Sequence, residues 1–251
     1  MNGSRATILT FAAVLLLLGI LYLLVVRGMG QPRLDALATE RALTIKHTSR
    51  SIPLDPGAAV WTRIEPIRIQ LYPQAVRAPY GTEERDLWVQ GTYRDNAVAF
   101  RLQFADATED RDSTSYADAC AIMFVPATAP AAGQMMGHDA SANVWHWRAD
   151  RDAAHDQPGG DSVRAVHELL AAGPGTQAPM PSQTVTGKGT YRDGKWSVVF
   201  ERQLGSHQEG ELALAPGDSL RIAFAVWDGA RKEGLSRKSI AVIRPLLLER
   251  E

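Results

Sequence analysis

Residues Ala6 to Val26 are 21 consecutive uncharged positions, mostly Leu, Val, Ala and Ile, and a soluble core has no place for such a run. As a helix at about 1.5 Å per residue the run measures about 31 Å, the thickness of one hydrocarbon core. Arg5 ahead of it would suit the basic n-region of a secretory signal. Signal h-regions are only about 7–15 residues long, however, and no small-x-small cleavage site follows Val26, where the chain reads Arg27-Gly28-Met29-Gly30-Gln31-Pro32. The expectation is an uncleaved single-pass anchor within residues 1–30. Arg5 lies before the span and Arg27 and Arg33 after it, so the flanking charges nearly balance. Long C-terminal domains translocate largely regardless of charge. The expected location is therefore the cell inner membrane, with the C-terminal domain on the periplasmic side.

Residues 31–52 are expected to form a stem or linker, with Leu34 to Glu40 a short helical stretch, and residues 53–251 a single domain. The 28 acidic and 27 basic residues almost cancel, so no global field suits nucleic acid. Cys120 is the only cysteine, which excludes an intrachain disulfide, a thiolate cluster and a Cys-x-x-Cys-His haem attachment. It reads as a small buried hydrophobe.

From Ala58 onward, short β-rich runs alternate with turn clusters, the pattern of an all-β domain. Strands are expected over Arg63–Leu71, Asp86–Tyr93, Ala97–Phe104, Ala117–Val125, Asn143–Arg148, Thr184–Tyr191, Lys195–Gln203, Ser219–Val226 and Lys238–Leu248. Arg94-Asp95-Asn96 and Arg192-Asp193-Gly194 read as hairpin turns, the second carrying the Asp-Gly pair that supplies positive φ. Two insertions break the rhythm: Ala127 to Asp139, rich in Ala, Pro and Gly, and Asp150 to Pro181, in which Asp161 to Leu170 is expected to be a helix. Such loops on a β domain either line a cofactor or are variable surface. The expected fold is an antiparallel β-sandwich with a short helix in an insertion, preceded by one transmembrane helix.

The chain has no Gly-x-Ser-x-Gly, no His-Glu-x-x-His and no P-loop. Its six histidines are scattered, none at metal-ligand spacing from another. Glu109-Asp110-Arg111-Asp112 reads as a solvated loop, with a weak calcium site as the alternative.

Several short motifs recur in one order: Pro53-Leu54-Asp55-Pro56 with Trp61, the Pro66–Gln74 strand, Asp118-Ala119-Cys120-Ala121-Ile122-Met123-Phe124, Met136-Gly137, Val144-Trp145-His146-Trp147, Gly194-Lys195-Trp196, Ala225-Val226-Trp227-Asp228-Gly229 and Arg237-Lys238-Ser239. Together they resemble the haem-b-binding domain of the ethylbenzene dehydrogenase and dimethylsulfide dehydrogenase gamma subunits, over roughly Leu43 to Leu248. That family holds one non-covalent haem b between a methionine and a lysine. The resemblance implies Met136 and Lys238 as axial ligands to iron. Met135 and His146 are the fallbacks, one as the other half of a methionine doublet and the other as the commoner kind of ligand.

A thioether is a neutral donor that raises a haem potential, and an amine binds iron only when deprotonated, so its pKa must fall below about 10. Gly137 would let backbone pass close to a flat macrocycle. Trp145, Trp147 and Trp227 read either as core aromatics or as haem-lining groups, and Arg148 and Arg237 as candidate partners for propionates. The resemblance further implies an electron-transfer subunit without covalent chemistry of its own. Its partners would be an iron–sulfur beta subunit, a molybdenum catalytic subunit, and a cytochrome or quinone acceptor. The rival reading is an exported carbohydrate-binding-type β-sandwich module without haem, stacking sugars on exposed tryptophans.

Overall fold

The computed structural model describes residues 41–74, 84–112, 114, 116–127, 142–172, 176–205 and 211–250. Their strands are β1 (Leu43–His47), β2 (Ile67–Pro73), β3 (Arg85–Arg94), β4 (Ala97–Ala105), β5 (Ala119–Pro126), β6 (Ala142–Arg148), β7 (Val166–Ala171), β8 (Ala178–Pro179), β9 (Thr186–Arg192), β10 (Lys195–Gln203), β11 (Ser219–Trp227), β12 (Ser239–Ala241) and β13 (Arg244–Leu248). One α-helix, α1 (Ala149–His155), follows β6 directly.

Side-chain alternation explains the ladders. In β4, Val98, Phe100, Leu102 and Phe104 are all buried, so a period of two carries one face inward. β10 pairs antiparallel with β4 in register from Lys195↔Ala105 to Gln203↔Ala97. Its hairpin with β9 turns at Asp193 (φ 52°) and Gly194 (φ 71°), the two positive φ values that a type I′ turn demands.

Hydrogen bonds run through the strands in the order β8-β7-β6-β5-β11-β12-β2-β3-β4-β10-β9, with β13 beside β11 and β1 beside β13 and β3. All pairings are antiparallel except those of β1, which runs parallel to both partners. The ladder folds over so that its halves face each other. Phe100 of β4 lies 5.6 Å from Phe124 of β5, Trp145 of β6 lies 6.5 Å from Phe200 of β10, and Trp147 stands edge-on to Trp196 at 4.9 Å. None of these pairs belongs to neighbouring strands. The main core fills the space between the halves and includes Cys120, fully buried as its sequence context indicates.

Three expectations are corrected. Asp161–Leu170 is not a helix: a 3-10 turn at Gly160–Ser162 leads into strand β7. Val166 and Glu168 are buried, and the Glu168 carboxylate accepts hydrogen bonds from Asn143 and Thr184 and lies 3.6 Å from Arg202. These tertiary partners outweigh a helical spacing of Val and Leu. The helix is α1 instead, where Asp150 and Asp152 occupy the first turn and favour the positive end of the helix dipole. Finally, Leu43–His47, placed in the stem by sequence, is a strand of the fold whose Leu43 and Ile45 are buried.

The expected anchor at residues 6–26 and the helical stretch at 34–40 lie outside the described residues. Among the described residues no helix is long and apolar enough to cross a membrane.

Candidate functional site

β5, β6 and β11 are adjacent, and each sends alternate residues away from the main core. Cys120, Ile122 and Phe124, Trp145 and Trp147, and Phe224 and Val226 point into the core. Ala119, Ala121 and Met123, Val144, and Ala223, Ala225 and Trp227 form a separate apolar layer on the opposite face. The register places Ala225 beside Ala121 and Ala223 beside Met123. Four alanines on two paired strands make a shallow, flat floor, because a methyl group barely rises from the pleat. A cavity of about 270 Å³ opens over the β5 part of this layer, where Ala119, Ala121 and Met123 line it together with Val144, Trp227, His146, Arg148, Leu169, Leu235 and Lys238.

Lys238 sits immediately before β12 and is 3% exposed. Its Nζ lies 4.9 Å from the centre of the Trp227 ring, and its backbone carbonyl accepts a hydrogen bond from Gln74 at 2.9 Å. Burial lowers its pKa to about 8 because desolvation penalises the ammonium form. Among the described residues no carboxylate pairs with it. The amine therefore gives up its proton, and gains the lone pair that coordination requires, at a much lower pH than an exposed lysine does.

His146 shares the cavity. Its ring lies 4.9 Å from that of Trp227, so the histidine and the lysine both pack near this one indole. Nε2 of His146 is buried without a hydrogen-bond partner. Burial, reinforced by Arg151, Arg148 and Lys238, lowers its pKa to about 3, which leaves it a neutral imidazole with donor capacity for a metal.

The structure brings Lys238, Trp227, His146 and Arg148 together. Trp145 and Trp147 do not join them: both rings are in the main core, where Trp145 Nε1 donates to Asn143 at 2.8 Å. Period-two alternation within β6 makes this division unavoidable. Arg148 lines the cavity while bonding Asp150 through two nitrogens at 2.9 Å. Arg237 is not among the lining residues, and its buried Nε lacks a partner. Met135, Met136 and Gly137 fall in the connection between β5 and β6, outside the described residues. Sequence reasoning missed the alanine floor. Its signal was the Ala-x-Ala pair in Ala119-Cys120-Ala121 and again in Ala223-Phe224-Ala225, each small residue alternating with a core one.

Fold and cavity together define a β domain with a side pocket floored by small apolar residues and edged by two nitrogen donors. The chain belongs to the ethylbenzene dehydrogenase family, whose family model matches residues 58–177 and 170–239. It is 30% identical over 195 residues to a protein of Haloferax mediterranei described as a respiratory nitrate reductase heme subunit, covering 75% of this chain and 66% of that one. It therefore spans just under two thirds of that relative's length. It is 25% identical over 210 residues to the chlorate reductase subunit gamma of Ideonella dechloratans, covering 81% of this chain and 82% of that one. A crystal structure of a protein from Bacteroides uniformis, described as carbohydrate-binding, superposes with a TM-score of 0.50 at 13% identity, over 83% of this chain and 99% of that one. This last likeness concerns the fold alone.

Proposed function

We propose that the chain is a membrane-anchored electron-transfer subunit that binds one non-covalent haem b on the alanine floor, with Lys238 and Met136 as axial ligands. The observation that carries the reading is Lys238, an amine buried to 3% exposure beside an apolar cavity with its pKa lowered to about 8. A lysine in that setting is costly for the apo fold unless its lone pair is used. The family and the two relatives named as reductase subunits support a redox role.

The residues divide the work. Ala119, Ala121 and Met123 provide an apolar bed that keeps water from a macrocycle, backed by Ala223 and Ala225 of the neighbouring strand. Trp227 is held by a bond from Nε1 to the Leu235 carbonyl at 3.3 Å, and its face limits where the Lys238 amine can go. Met136 comes from the segment joining β5 to β6, the strands that carry Ala121 and His146. When bound, the haem supplies reversible one-electron chemistry.

By this reading the β domain is anchored through residues 6–26 in the inner membrane and faces the periplasm. It takes electrons from, or returns them to, an iron–sulfur subunit serving a molybdenum enzyme, and exchanges them with a cytochrome or quinone.

A second ligand set, with His146 replacing Met136, is favoured by the orphaned Nε2 of that residue. The sugar-binding alternative loses three of its candidate platforms, since Trp145 and Trp147 are 0% exposed and Trp227 is 8%, and is left with Trp88 at 42%. The purified protein should carry a Soret band of six-coordinate low-spin haem. Lys238→Ala and Met136→Ala should each turn it five-coordinate or mixed-spin, with Met135→Ala nearly silent. Loss of the low-spin spectrum in His146→Ala alone would refute the Met136 assignment, and a colourless protein would refute the haem.

A further inference from the structure

We propose that Asp106, Asp118 and Asp228 form a calcium site that ties the ends of β4, β5 and β11 together. Asp106 follows β4, Asp118 precedes β5 and Asp228 follows β11. Each offers a carboxylate oxygen, and the three oxygens lie within 4.8 Å of one another. Oxygens bound to one Ca²⁺ at about 2.3–2.6 Å can be up to about 5 Å apart, so the spacing suits a shared ion. The neighbouring acidic run at Glu109–Asp112 contributes only the backbone of Asp110 to Asp118; within it Glu109 pairs with Arg111 and Asp112 bonds Thr114.

The cluster is short of positive charge where it is most buried. Asp118 is 0% exposed and Asp106 is 5% exposed. Asp118 is oriented by N–H donors from Gly229 at 2.8 Å, Asp110 at 2.8 Å and Trp196 at 2.9 Å. Arg85 and Arg231 pair with Asp228, and Arg85 also with Glu233. Among the described residues no guanidinium or amine forms an ion pair with Asp106 or Asp118, and the charge of Arg85 only partly offsets that of Asp106.

A second feature points to a ligand. Asp106 Oδ1 accepts from the Thr108 N–H at 3.2 Å, but its Oδ2 is buried with no donor. An ionised oxygen so placed costs several kcal/mol unless something compensates it. A hard divalent cation satisfies the orphaned Oδ2 and the spare lone pairs of Asp118 and Asp228 together, whereas a proton neutralises only one carboxylate. Burial and the Asp118 charge push the Asp106 carboxyl up to about 7, consistent with a charge that lacks its counter-ion.

The test uses the full chain in detergent, stripped with EDTA and dialysed. At about a hundredfold excess over its Kd, Ca²⁺ should raise the unfolding temperature by about 5–10 °C. Tb³⁺ should luminesce on excitation of Trp196, which bonds Asp118 directly, and Ca²⁺ should quench that signal by displacement. Asp106→Asn should abolish both effects while leaving the metal-free unfolding temperature equal or higher. Trp196→Phe should lose the luminescence but keep the Ca²⁺ shift, which covers the case in which the Asp106 variant fails to fold. No Ca²⁺ shift and no Tb³⁺ signal in the unaltered protein would overturn the proposal. So would a Ca²⁺ shift that survives Asp106→Asn. Asp106→Asn raising stability in a protein indifferent to Ca²⁺ would assign the cluster a shared proton and overturn it equally.

Discussion

Lys238 and Asp106 show burial acting in opposite directions on acid and base. Desolvation lowers the amine to about 8 from 10.5 and raises the carboxyl to about 7 from 3.8, in each case favouring the neutral form. For Lys238 the folded pKa lies below the unfolded one. Between about 8 and 10.5 the unfolded chain therefore holds more protons, and stability of the haem-free fold rises with pH across that window. Below about 8 the stabilisation from a neutral amine is gone. Lys238→Met should remove this slope, read as the difference in urea midpoint between variant and parent at pH 7, 8, 9 and 10. An unchanged slope in the variant would mean that the amine is hydrated in solution.

At the scale of elements, β7 is held by a buried polar network more than by its own pattern. Glu168 is 0% exposed and accepts from Asn143, Thr184 N–H and Thr184 Oγ1, while Arg202, 2% exposed, faces both Glu168 and the Trp145 ring. Removing one member leaves the other charge buried and uncompensated. Glu168→Ala should therefore destabilise the domain by about 3–5 kcal/mol, measured by denaturant unfolding. A loss under about 1 kcal/mol would show that water enters and compensates Arg202. The same network explains why Asp161–Leu170 misleads as sequence: Val163, Val166 and Leu170 fit a helical spacing, but the partners of Glu168 lie on β6, on Thr184 and on β10.

Across the whole molecule, β1 closes the fold over the largest sequence separation, pairing with β13 as Leu43↔Leu246 and Ile45↔Leu248 and with β3 as Lys46↔Thr92. Tyr93 on β3 adds a hydrogen bond to the Glu249 carbonyl at 2.6 Å. A chain starting at Arg41 should keep its unfolding midpoint. One starting at Pro53 loses the buried Leu43 and Ile45 and should be less stable by at least about 4 kcal/mol, at roughly 2–5 kcal/mol for each large buried aliphatic side chain. Equal midpoints for the two would show β1 to be dispensable.

The alternation of Ala97–Ala105 and Lys195–Gln203, the Asp193-Gly194 turn and the burial of Cys120 were legible in the chain, because period, turn chemistry and side-chain hydrophobicity are local properties. The same alternation already divided His146 from Trp145 and Trp147. Family membership was legible too, in motifs that keep their order over much of the chain. Tertiary structure alone decided that β7 is a strand, that β1 belongs to the fold, and that His146 faces a cavity and not the surface. It also joined Ala119–Met123 to Ala223–Trp227, about a hundred positions away, into one floor, and brought Asp106, Asp118 and Asp228 to a single point. Strand neighbours are chosen by long-range pairing and by which face a second sheet covers, and neither is encoded within any one segment. The depressed pKa of Lys238 has the same origin: it follows from the strands that exclude water around the amine, while its own neighbours, Arg237 and Ser239, are ordinary polar residues.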